Sequence, residues 1–229
     1  MELDTKPLII SVGIGGWYAK GIDRLERSLI YHGYPGDMLF WRDEYPPGSP
    51  AHNDNPYAFK PYAFAEAFRR GYKVVLWLDA SFWAIGNPMP VFDYILEHGL
   101  YFFKSGYSLA QTATDKLLEY GNIDAREDLL EVPEFATGAV GINIDNPQGI
   151  RFFDDWCDAA DAGVFAGHRA HNLADSPHAL FLHARQDQSA ASMILHDMGI
   201  TTAGENEDFV AYYQTPYNAQ KCLFFINGI

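Results

Sequence analysis

The 229-residue sequence is short of cysteine, of positive charge and of long apolar runs, and each shortage removes a class of protein. Two cysteines, Cys157 and Cys222, cannot build a disulfide framework and lack metal-ligand spacing with each other, so they read as two buried thiols in a reducing compartment. Sixteen basic residues stand against thirty acidic ones, a formal charge of −14 that repels a polyanion, so nucleic acid is excluded as the first expectation for a partner. The amino terminus, MELDTKP, is acidic where a signal peptide is basic. The run LIISVGIGG that follows is too short and glycine-rich for a membrane span. No Asn-x-Ser/Thr sequon occurs, and the expected localisation is cytoplasmic. Internal repeats, linkers and low-complexity segments are absent as well.

What is present is a hydrophobic content of 48%, enough for a full core, arranged as alternating strand-like and helix-like segments. The apolar run 7–14 ends on Gly15-Gly16 and reads as a buried parallel strand. The segment 18–34 then places Ile22, Leu25, Leu29 and Ile30 at helical spacing before Gly33. Strands are expected at 37–44, 73–79, 100–106 and 138–144, with helices near 57–72, 87–99, 112–122, 149–163 and 186–199. This alternation predicts an α/β fold with a mostly parallel central sheet flanked by helices on both faces. Residues 45–56, rich in Pro, Gly and Asn, form a loop long enough to expect a function for it.

In open α/β sheets ligands gather outside the carboxyl ends of the strands. Asp79 stands at such an end, closing the apolar run KVVLWLD, where its charge must be solvated, paired or bound to a cation. An ordinary turn or capping role competes evenly with a functional one on position alone.

RRGYKVVLWLDAS resembles the central signature of GT-A-fold glycosyltransferases, a strand ending hhhWhDxD (h, apolar) whose acidic motif holds a divalent metal against a nucleotide-sugar diphosphate. Three further blocks fall in the order of that family. FATGAVGINIDNPQGIRFFDDW is similar to its acceptor-side strand and helix, RQDQSAASMIL to the DDQSA helix of the retaining galactosyl- and xylosyltransferases, and LFFING to the closing strand. The blocks run from about Lys60 to Gly228 and imply one GT-A-like, Rossmann-like domain over 1–229. Its nucleotide-sugar half would be about 1–110 and its acceptor-side half about 111–229.

The resemblance implies an enzyme that moves a hexosyl or pentosyl group from a UDP- or GDP-linked donor to a glycan or other hydroxyl acceptor. By position it implies Asp79 and Asp187 as catalytic residues, and Gly13, Trp17, Tyr18, Lys60, Asp79, Ala80, Ser81 and Gln188 as donor contacts. Trp83, Thr137, Gly138 and Arg185 fall on the acceptor or sugar side, and Asp79, Ser81 and Asn227 at the metal position, with Mn²⁺ or Mg²⁺ as cofactor. Trp17 or Tyr18 would stack on the base; a dinucleotide fingerprint would need glycine where Tyr18 stands. Asp187 also satisfies the plain role of a helix start ahead of Ala191, Ile194 and Leu195.

Two departures stand out. Ser81 replaces the second aspartate of the metal motif and Asn227 its closing histidine, both neutral and weaker ligands. Metal assistance is the preferred reading. Positive charge from Lys60, Arg185 or Lys221, or a nucleotide-sugar or glycan-binding module without turnover, are its rivals. A third class, a metal-dependent hydrolase, rests on His168, His171, His178 and His183 with Asp175; without the H-E-x-x-H order it is weak, and a substrate lid or a polar surface explains the same residues.

Overall fold

The computed structural model describes residues 6–167, 174–200 and 207–227. Its main sheet contains β1 (Leu8–Val12), β2 (Asp37–Trp41), β3 (Val74–Leu78), β5 (Leu100–Ser108) and β6 (Pro133–Asn143) in the order β2-β1-β3-β6-β5. β1 pairs in parallel with β2 and β3, while β6 runs antiparallel to both β3 and β5, so four of the five strands point one way with β6 reversed among them. The expectation of a mostly parallel sheet holds in strand direction.

Three-residue strands β4 (Phe82–Ala84), β7 (Val210–Tyr212) and β8 (Phe224–Ile226) make a second sheet, β4-β8-β7. Only β8 was expected from the sequence. β4 and β7 are too short to carry a period, and they exist because β8 pairs with both.

Alternation along the buried strands assigns the two faces. Leu8, Ile10, Val12, Val75 and Trp77 point to one apolar cluster with Phe64 of α2 (Phe59–Arg69), Phe152 and Trp156 of α6 (Pro147–Asp161) and Leu195 of α7 (Asp187–Asp197). Ile9, Val74, Leu76 and Leu78 point to the other, with Leu25 and Leu29 of α1 (Gly16–Tyr31) and Phe92 and Ile95 of α3 (Met89–His98). Strands coated on both sides read as continuous apolar runs, which is how β1 and β3 appear in the sequence. Two short helices, α4 (Leu109–Thr112) and α5 (Asp115–Tyr120), connect β5 towards β6. Among the cysteines, Cys222 is buried, but Cys157 is only half-buried on α6. No helix among the described residues is long and apolar enough to cross a membrane.

The close approach of α1 to the end of β1 depends on Gly13. A Cβ there would lie 2.3 Å from Ile22 and 2.7 Å from the Tyr18 carbonyl oxygen, and its N–H donates to Trp41 O at 2.9 Å. Gly13 therefore serves packing: the structure does not bring it to the cavity described next, because the first turn of α1 covers it.

Candidate active site

A cavity of about 660 Å³ opens at the carboxyl ends of β1 and β3. Val12 and Ile14 enter it from the end of β1, Tyr18 from α1, Asp79, Ala80 and Ser81 from the turn after β3, and Ala136 and Gly138 from β6. Arg185 and Gln188 line it from the start of α7, and Tyr212, Ile226 and Asn227 from the second sheet. The wall that the residue-by-residue expectations missed is aromatic: Tyr45, His52, Tyr57, Phe59 and Trp77. For Tyr45 and His52 the signal was the Pro/Gly/Asn-rich composition of 45–56, which marked a functional loop without saying which of its side chains turn inward; Tyr57, Phe59 and Trp77 lie outside it.

Asp79 is fixed from several directions. Its backbone N–H donates to Gly138 O at 2.8 Å, and Trp77 Nε1 donates to its Oδ1 at 2.7 Å. Gly138 leaves space beside the other oxygen, where a Cβ would stand 3.5 Å from Oδ2 and 3.1 Å from the Phe82 ring. The Asp79 side chain keeps 33% exposure, and burial in the site holds its pKa above the ordinary carboxylate value, against the pull of Lys60 and Trp77.

Beneath it lies Lys60, a lysine 2% exposed, which such a residue tolerates only when paired. Its Nζ lies 2.9 Å from Asp187 Oδ2 and 3.4 Å from Asp79 Oδ1, and donates to Thr137 O at 2.9 Å and Thr137 Oγ1 at 3.2 Å. Thr137 Oγ1 donates to Asp187 Oδ2 at 2.6 Å. Burial alone would lower the Lys60 pKa, but Asp187 and then Asp79 more than offset it, and the net shift is upward. Three residues far apart in sequence thus form one buried charge cluster under the end of β3.

This cluster changes the placement of several expected residues. Lys60 is committed to Asp187, Asp79 and Thr137, so it neutralises protein carboxylates where a contact to a donor phosphate was expected. Lys60, Asp187 and Thr137 do not line the cavity; all three are buried. Tyr18 lines the cavity, whereas Trp17 packs beside it with ring centroids 4.7 Å apart and does not. Trp83 does not line the cavity either. On β4 its neighbours Phe82 and Ala84 turn into the core. The Trp83 ring on the opposite side is covered by the Arg24 guanidinium at 4.2 Å and by Tyr213 and Phe225.

The turn into α7 separates two neighbouring charges. Gln186 adopts φ 47° and ψ −116°, a conformation that L side chains rarely take, and its Nε2 donates to Gly167 O at 3.1 Å. Arg185 before it reaches the cavity wall, while Asp187 after it turns inward to Lys60. Tyr57, at φ 61°, is another residue in this left-handed region, and unlike Gln186 it lines the cavity.

For a divalent cation the residues at hand offer Asp79, Ser81 and Asn227, all on the cavity, with the Asn227 N–H on the Ser81 carbonyl at 3.3 Å. Oxygen donors of this kind suit Mg²⁺ or Mn²⁺ but supply one negative charge, and Asp79 Oδ1 is already engaged. The set fits as part of a shell that donor phosphates and water would complete. Lys221, the other cation considered, ion-pairs with Asp208 at 3.6 Å and does not line the cavity.

His168 and His171 lie outside the described residues. Of the others, His178 faces Glu127 at 3.2 Å and His183 packs edge-on against Tyr107. Among the described residues no group of three or more His, Cys, Asp or Glu is placed to hold a metal.

Neither a family model nor a curated protein matches the sequence. Solved structures do match in fold. The chain is similar to the WbbM bifunctional glycosyltransferase in its apo structure (TM-score 0.56, 12% identity), over 98% of this chain and 46% of that one. It is also similar to apo mouse xyloside xylosyltransferase 1 (TM-score 0.53, 9% identity), over 90% and 87% of the two chains. A third likeness is to a glycosyltransferase involved in the glycosylation of the major capsid of PBCV-1 (TM-score 0.51, 12% identity), over 96% and 93%. The chain thus spans about half the length of the first of these and most of the other two. Its fold is that of GT-A-like glycosyltransferases.

Proposed function

We propose that this chain is a glycosyltransferase that takes a sugar from a UDP- or GDP-linked donor and passes it to a glycan or other hydroxyl acceptor. The observation that carries the reading is Asp79, a carboxylate at the end of a central strand, on a large cavity also lined by aromatic rings. Flat rings such as Tyr18, His52 and Tyr57 suit a nucleotide base and sugar faces, and the polar end formed by Asp79, Ser81, Asn227, Arg185 and Gln188 suits a diphosphate and the transferred sugar.

Within this reading Asp187 acts by position. Its carboxylate, bonded to Lys60 and Thr137, keeps Lys60 charged, and Lys60 in turn keeps Asp79 ionised and aimed at the cavity. A Mn²⁺ or Mg²⁺ ion would be held by Asp79 with Ser81 and Asn227, and when bound would supply Lewis-acid stabilisation of the leaving diphosphate. Gln188 and Arg185 orient the donor, and the aromatic loop 45–57 limits water around it, which a transferase needs to avoid hydrolysing its donor. Cytoplasmic residence belongs to the same proposal.

The test is thermal stability across a panel of UDP- and GDP-sugars, with and without Mn²⁺, for the natural chain and Asp79→Ala. Stabilisation by one nucleotide sugar that is lost in the variant supports the reading; stabilisation by none, or stabilisation indifferent to Asp79, overturns it. Neutral Ser81 and Asn227 favour one second reading, a nucleotide-sugar-binding module without turnover. That reading predicts stabilisation without release of nucleotide diphosphate.

A further inference from the structure

Glu134 on β6 is fully buried, and the function above makes no use of it. Its hydrogen-bonding neighbours are uncharged: Gln188 Nε2 donates to Oε2 at 3.0 Å, the Ser105 and Thr112 hydroxyls also face it, and Ser189 Oγ, which donates to Thr112 O at 3.0 Å, lies 3.3 Å from Oε1. A buried carboxylate met by neutral donors is unfavourable for stability, and an apolar residue would fill the same place at less cost. Its presence there calls for a reason outside packing.

The hydrogen bonds supply one. Gln188 spends its amide N–H on Glu134, which fixes the orientation of the amide and directs Oε1 outward, where it accepts from Arg185 Nη2 at 3.2 Å. Gln188 and Arg185 both line the cavity, and the Arg185 guanidinium has further N–H donors beyond the one given to Gln188. Lys60, the other cation under this site, is already neutralised by Asp187 and Asp79. Arg185 is therefore the cation on the cavity wall with donors to spare for an anion, and the strained turn at Gln186 points it there. The groups facing Glu134 are Ser105 of β5, Thr112 of α4 and Gln188 and Ser189 of α7, with Arg185 the cation whose field acts on it.

We propose that Glu134 is a positioning residue: acting through Gln188, it holds the Arg185 guanidinium at the cavity wall to receive the diphosphate of the donor. This rests on the nucleotide-sugar reading. Planar N–H donors match phosphate oxygens in pairs, so orientation matters as much as charge. It also gives the site a fixed positive group where the metal ligands Asp79, Ser81 and Asn227 are few.

The test separates the phosphates from the rest of the nucleotide. Binding of a nucleoside 5′-diphosphate (UDP, then GDP) and of the matching nucleoside is measured for the natural chain, Arg185→Ala, Glu134→Leu, Glu134→Gln and Gln188→Met. Arg185→Ala is expected to weaken diphosphate binding about ten- to a hundredfold and leave the nucleoside unchanged. Glu134→Leu and Gln188→Met should each give about a tenfold loss confined to the diphosphate, and neither should add to the loss in Arg185→Ala. Glu134→Gln, which keeps an acceptor for Gln188, should recover most of the affinity. Because a change at buried Glu134 can unfold the chain, Gln188→Met is a second variant, and since Gln188 also faces the donor, its failure to add to the loss in Arg185→Ala, checked with urea unfolding of each variant, is what assigns the loss to positioning. Equal losses for nucleoside and diphosphate, or none in Gln188→Met, overturn the positioning role while the donor reading stands. If the natural chain binds neither nucleotide, the donor reading fails, and the proposal with it.

Discussion

Lys60 Nζ and Asp187 Oδ2 lie 2.9 Å apart with side chains 2% and 4% exposed, and this pair joins α2 to the first turn of α7 directly under Asp79. A pair so deeply buried is stable only while both partners are present. Lys60→Met should destabilise the fold by about 3–5 kcal/mol, because it leaves Asp187 an uncompensated buried charge, whereas Asp187→Asn should cost less, because Lys60 keeps Asp79 at 3.4 Å. Urea unfolding of the single and double variants checks this. The double variant should unfold at a higher urea concentration than the weaker of the two single variants.

Trp77→Phe tests the ionisation of Asp79. Burial already holds its pKa above the ordinary value, and the Trp77 Nε1 hydrogen bond opposes that rise, so removing the bond raises the pKa further. Ionised Asp79 is then lost at a higher pH as the solution is acidified. The acid limb of nucleotide-sugar binding should move to higher pH in Trp77→Phe, while binding well above that limb stays near that of the natural chain.

Ser81→Asp should give the cavity a second carboxylate at the metal position. The expected result is a gain of about tenfold or more in Mn²⁺ affinity in the absence of nucleotide, followed by calorimetry, since hard divalent ions bind more tightly as ligand charge increases. An unchanged affinity would mean that Ser81 does not face a cation site.

Tyr18 and Trp83 separate by placement. Tyr18→Ala should weaken nucleotide binding about two- to tenfold through loss of one aromatic face. Trp83→Ala should leave nucleotide binding unchanged but lower stability, because its ring is packed by Arg24, Tyr213 and Phe225. Equilibrium binding and unfolding of both variants distinguish the two roles.

Glu66, buried on α2 and hydrogen-bonded to Arg69 and Arg70, has its pKa lowered from 4.5 to about 2 by those two bonds. A carboxylate with a depressed folded-state pKa contributes stability that is present above its unfolded value and lost as pH falls towards the folded one. The Glu66→Gln variant should therefore be less stable than the natural chain at pH 6. The difference should shrink as pH drops from about 4.5 towards 2, as followed by urea unfolding at each pH.

The main strands were legible because each is coated on both faces and so reads as an unbroken apolar run; Val74–Leu78 needs no partner to be recognised. The turn after β3 was legible as a site because a charge ends that run. The depth of each residue was not. Lys60, Thr137 and Asp187 appear in the sequence as a helix lysine, a strand threonine and a helix-start aspartate, and only the packing of α2 on β1 and β3 and of α7 on β6 makes them one buried cluster. Trp83 illustrates the same limit in reverse: nearness to Asp79 along the chain placed it at the site, while strand alternation sent its ring to Arg24 and the second sheet. Glu134 carried no signal, since a glutamate beside a proline and ahead of an apolar run looks like a solvated strand end.

The central claim is turnover at the Asp79 cavity, and the most direct measurement is release of UDP or GDP from a panel of nucleotide sugars offered with a mixture of glycan acceptors. The account predicts release from one donor by the natural chain, reduced at least a hundredfold in Asp79→Ala. Release from none of the donors, or release equal in the two proteins, would contradict it.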